Sequence, residues 1–115
     1  MIKNDLERIQ KKLIELTERW ISIHGYGKSE EPCIHIGITN TNDWTWFAEI
    51  YSYQMDFEDG GRHHYFYADT YEELIKKIWE AIKVEEEIVT AYEIAEIIEK
   101  DLKDVTYLKR GDTNV

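Results

Sequence analysis

Residues 33–70 read CIHIGITNTNDWTWFAEIYSYQMDFEDGGRHHYFYADT, and the alternations inside this stretch decide the fold. Ile34, Ile36 and Ile38 alternate with Cys33, His35 and Gly37, the period-two pattern of a strand. Thr39 to Asp43 is turn chemistry. A second strand is predicted from about Trp44 to Tyr53. Trp44, Trp46, Ala48 and Ile50 share one face; Thr45, Phe47, Glu49, Tyr51 and Tyr53 share the other. Both faces are largely apolar or aromatic, which fits a central strand or one with a functional outer face. Asp56 to Gly61 is an acidic turn with a Gly pair, and a third strand follows from about Arg62 to Ala68.

Helical periods flank the strands. Ile2, Leu6, Ile9, Leu13, Leu16 and Trp20 are spaced by four and three residues, a heptad-like seam. Asn4 and Glu7 form a capping-box pair, and Gly25 is a natural stop. The seam is expected to pack on the sheet; the alternative is a dimer of first helices. After the third strand, Thr70 and Glu73 cap a second helix carrying Tyr71, Leu74, Ile75, Ile78, Trp79 and Ile82. Glu85-Glu86-Glu87 is expected to interrupt it. Thr90 and Glu93 then read as the cap of a third helix with Ala91, Ile94, Ala95, Ile98 and Leu102 on one face. Val105 to Leu108 reads as a short last strand, and the chain from Lys109 as a polar tail. The predicted fold is one α+β domain over residues 1–115. It has an N-terminal helix, a three-stranded antiparallel sheet and two C-terminal helices, stacked as a two-layer sandwich.

Length and charge narrow the function. A chain of 115 residues has room for one hydrophobic core. Its net charge of −10 argues against direct binding of nucleic acid or an anionic membrane and permits a basic partner. A single Cys excludes an intramolecular disulfide and a Cys-rich zinc site. No apolar run approaches a membrane span, and no signal peptide is expected, so the expected location is the cytoplasm.

Catalytic patterns are weak. Adjacent His63 and His64 point to opposite faces of a strand and cannot ligate one ion together in regular geometry. Asp56 to Gly60 lacks the acidic spacing of a calcium loop. Gly60-Gly61 has no phosphate-loop context, and Cys33 has no base partner in the sequence. The expectation is a non-enzymatic protein without metal or cofactor.

Charge and aromatics are unevenly placed. Residues 1–29 carry a net of +2, residues 43–73 a net of −7 and residues 85–104 a net of −6. Nine of the Trp, Tyr and Phe residues fall between Trp44 and Tyr67. Exposed aromatics are common anchors of protein interfaces, and a negative field steers association with a basic surface.

The stretch Trp46 to Lys83 is similar to a pattern common in HicB-like antitoxins and small phage proteins. A Trp-Phe-Ala-Glu-Ile strand leads to Asp59-Gly60-Gly61, and a further strand runs into Ala-Asp-Thr-Tyr-Glu-Glu-Leu with Thr70 as helix cap. In size and charge the chain also resembles phage-encoded inhibitors of bacterial defence, including anti-CRISPR proteins. These resemblances imply an inhibitor of a basic nucleic-acid-handling protein, such as a CRISPR effector, acting in the host bacterial cytoplasm. The alternatives are an antitoxin or immunity protein that neutralises a toxin, and a small dimeric assembly protein. The expected partner-binding carboxylates are Asp43, Glu49, Asp56, Glu58, Asp59, Glu93, Glu96 and Glu99. The expected aromatic anchors are Trp44, Trp46, Tyr51, Tyr53, Tyr65 and Tyr67.

Overall fold

The computed structural model describes residues 2–24, 31–39, 45–52 and 63–113, and within them all side chains except those of residues 24 and 103–113. The order is α1 (Ile2–His24), β1 (Cys33–Ile38), β2 (Trp46–Tyr51), β3 (His63–Ala68) and α2 (Tyr71–Thr113). The strands form one antiparallel sheet in the order β1-β2-β3. Ile36 pairs with Ala48 and Ala48 with Phe66, so the alternations of the three strands fall in phase.

One phase is apolar. Ala48, Ile50 and Ala68 are buried, with Ile34, Ile36, Trp46 and Phe66 packed around them. The same buried cluster takes in Ile9, Leu13, Leu16 and Trp20 of α1 and Leu74, Ile78, Ile82 and Val89 of α2. The α1 seam is therefore spent inside the chain: Ile9, Leu13 and Leu16 are fully buried. A dimer of first helices has no such seam to use. Helix α1 also begins at Ile2, so Asn4 lies within the helix and does not cap it.

Where the sequence predicts two C-terminal helices, the structure has one helix of 43 residues. Glu85-Glu86-Glu87 does not break it, because glutamate is a good helix former and each of the first two has a role. Glu85 is buried and accepts the indole N–H of Trp20 at 3.1 Å. Glu86 pairs with Lys12 of α1. Thr90 and Glu93 are not a cap either. Arg19 Nη2 donates to Thr90 Oγ1 at 2.8 Å, and Arg19 Nε donates to Glu93 Oε2 at 3.1 Å. The helix continues through residues 105–108, so no last strand forms there, and it also takes in 109–113, the segment expected as a polar tail. The start of α2 is as predicted: Glu73 N–H donates to Thr70 Oγ1 at 3.2 Å.

Two local devices fix neighbouring elements. Gly37 faces Phe47 across the sheet, and a Cβ at residue 37 would lie 2.6 Å from the Phe47 ring. The glycine is needed for this close approach. At the entrance of α2, the Tyr71 hydroxyl donates to Asp5 of α1. Burial, then the bond to Asp5, raise its pKa to about 12, so this phenol stays protonated across the ordinary pH range.

Two outcomes check these packing arguments. Gly37→Ala should lower stability in urea unfolding by about 1–3 kcal/mol, and the penalty should shrink in a Phe47→Leu background, where the ring is gone. The second concerns Arg19, whose hydrogen bond to Glu93 holds that carboxyl below its ordinary pKa. Its contribution is complete above the ordinary carboxylate range and is lost as pH falls through the lowered folded value. Arg19→Leu should therefore cost roughly 1 kcal/mol or less at neutral pH, the partial exposure of the pair limiting the effect. The gap between wild type and variant should close as the solution is acidified.

Candidate functional site

The second phase of the strands forms the outer face of the sheet. Its three rows are Gly37, Phe47 and Tyr67; His35, Glu49 and Tyr65; and Cys33, Tyr51 and His63. These side chains point away from the buried cluster because successive strand residues alternate faces. Tyr65 is 51% and Tyr67 42% exposed. Glu49 sits at the centre of the grid. Its Oε1 lies 2.6 Å from His63 Nδ1, and the His63 ring tilts against Tyr51 with centroids 4.9 Å apart. His63 thus links the carboxylate to an aromatic neighbour and holds Glu49 in one orientation. The surface is a patch of tyrosines and histidines around one carboxylate.

The structure divides the expected partner-binding residues. Glu49, Tyr51, Tyr65 and Tyr67 come together on the outer face. Trp46 does not join them: it is half-buried on the core side, with its ring 5.1 Å from that of Tyr71. It is a packing residue, because its strand parity is that of Ala48 and Ile50. Glu93 is also withdrawn from the set of open carboxylates by its ion pair with Arg19. Glu96 and Glu99 are exposed on the distal part of α2, in a separate region from the sheet. Asp43, Trp44, Tyr53, Asp56, Glu58 and Asp59 lie outside the described residues.

Strand parity in the sequence already sets Phe47 with Glu49 and Tyr51, but Phe47, His35 and His63 are not among the expected partner-binding residues. Their signal was present in the strand parity, since each shares the phase of Glu49 or Tyr65 once the strands are in register. The adjacent histidines separate as strand geometry requires: His63 is exposed and His64 is 1% exposed. Among the described residues, no group of three or more His, Cys, Asp or Glu side chains is placed to hold a metal ion. Also among them, no helix is long and apolar enough to cross a membrane.

The outer face offers exposed tyrosines beside one carboxylate. Tyrosines offer flat apolar area with a hydrogen-bonding end at low entropic cost. The central carboxylate keeps 28% of its side chain exposed, with Oε1 already against His63. No protein-family model, curated protein or solved structure matches this chain.

Proposed function

We propose that the chain is a non-enzymatic inhibitor that binds and blocks a basic, nucleic-acid-handling protein, in the manner of anti-CRISPR proteins. In this reading the helices and the sheet stack as two layers, and the outer sheet face is the binding face. The observation that carries it is the pair of exposed tyrosines, Tyr65 and Tyr67, beside Glu49 on the outer sheet face of a chain with a net charge of −10. The overall field draws in a basic surface, and the tyrosines anchor it once it arrives. Glu49 supplies a local ion pair at the centre of the contact, where surrounding aromatics exclude water. The exposed carboxylates Glu96 and Glu99 add to the field at longer range. Occupation of a phosphate-binding track by this face would block the partner's nucleic acid without any reaction.

The test is affinity capture from a nuclease-treated bacterial lysate, followed by quantitative binding with the protein identified. A basic nucleic-acid-binding protein should be retained after nuclease and should weaken with salt. Tyr65→Ser/Tyr67→Ser should reduce its affinity by roughly thirtyfold, the equivalent of about 2 kcal/mol, with little change in thermal stability. A partner whose affinity is indifferent to both tyrosines and to Glu49→Lys would overturn the proposal. So would retention of a toxin with no nucleic-acid site, which would favour the antitoxin alternative.

A further inference from the structure

Helix α2 carries two apolar stripes, and they face different directions. Leu74, Ile78, Ile82 and Val89 form the first and are buried in the core. Continued along the helix, that line becomes Glu96 and Lys100, both exposed. The second stripe is Val84, Ile88, Ala91, Ala95, Ile98 and Leu102. Successive members are four, three, four, three and four residues apart. At about 100° per residue, this line lies roughly a third of a turn around the helix from the buried one. It is not an overflow of the core. Val84 and Ile88 are 42% and 41% exposed, Ile98 is 52% and Leu102 is 61% exposed. Every described side chain from Ile94 to Leu102 is exposed.

We propose that this stripe is the seam of a parallel two-stranded coiled coil between two copies of the chain. The three-four spacing keeps one narrow line facing a partner helix over its whole length, which a single docking contact does not require. The seam also points away from the core, so two globular parts can sit on the outside of the pair. Charge selects the orientation. In a parallel pair, Glu87 flanks the seam beside Tyr92 of the second copy, and Ile94 beside Glu99 of the second copy. Neither of these two pairs sets one acidic side chain against another. Glu86, Glu93, Glu96 and Lys100 fall on outward positions. An antiparallel pair would instead set Glu87 of one copy against Asp101 of the other, a like-charge contact.

The contact is modest. The stripe and the adjoining Ile94 offer on the order of 500 Å² of surface per copy, short of the ~800 Å² per partner of a standard stable interface. Ala91 and Ala95 let the helices approach closely and contribute little area. The dimer is therefore reversible and concentration-dependent, and it does not involve the outer face of the sheet.

Sedimentation equilibrium of the full chain tests this from low micromolar to submillimolar concentration. The mass should rise from 13.8 kDa towards twice that value. Ile98→Asp should remain monomeric with unchanged helical circular dichroism, and Ala95→Leu should tighten the dimer severalfold. Leu102→Cys, in a Cys33→Ser background, should form an inter-chain disulfide under mild oxidation. A wild-type chain that stays monomeric at the highest concentration leaves this face to a different protein and overturns the proposal. A dimer unaffected by Ile98→Asp, or one that never links through Leu102→Cys, overturns the seam or its parallel orientation.

Discussion

Burial of one phase of the strands in a single cluster with apolar residues of both helices is the constraint on which the rest of the molecule depends. A strand has only two faces, and period two assigns every residue to one of them. Once Ala48, Ile50 and Ala68 are buried in one cluster with Ile9, Leu13, Leu16, Leu74 and Ile78, the opposite parity must face outward. Each large aliphatic side chain fully buried in this cluster contributes about 1.5–3 kcal/mol relative to exposure, before the ordering entropy is counted. A slip of one residue in β2 would exchange Ile50 for Glu49 in the core. The cost of burying that carboxylate protects the register, and with it the identity of the outer face.

Polar contacts then tie the helices to each other outside the apolar cluster. Lys12, Arg19 and Trp20 of α1 reach Glu86, Glu93 and Glu85 of α2. The Trp20 and Tyr92 rings meet at 5.2 Å close to the same level. These contacts use acidic residues of the −6 segment for internal pairing. The negative charge of this segment is thus partly structural, while Glu96 and Glu99 farther along the helix are exposed. The outer sheet face and the distal stripe of α2 are different surfaces, so the two proposed interactions do not compete.

Much of the fold was legible because its signals are local. Three isoleucines at every second position define β1, and Thr70 with Glu73 marks the start of α2. The continuity of α2 was not legible. Glu85 sits on the buried line between Ile82 and Val89, and a carboxylate at that place mimics an interruption of the apolar period. The partners that explain Glu85 and Glu86, Trp20 and Lys12, are distant in sequence. Thr90 and Glu93 satisfy a capping pattern, yet both serve Arg19, which lies 71 and 74 residues away. The outer face was only half legible. Both parities of β2 carry aromatics, so β2 alone cannot tell Trp46 from Tyr51. Pairing with the isoleucines of β1 and with Ala68 of β3 makes the choice, and that pairing depends on register.

The most direct test of the central claim is hydroxyl-radical footprinting of the chain alone and in complex with the basic protein it captures. Residue-resolved mass spectrometry would read the oxidation of each aromatic side chain. The account predicts that Tyr65 and Tyr67 label strongly in the isolated chain and are protected in the complex. Trp46 should label weakly in both, because it packs on the core side. Continued labelling of Tyr65 and Tyr67 in the complex would contradict recognition by the outer sheet face.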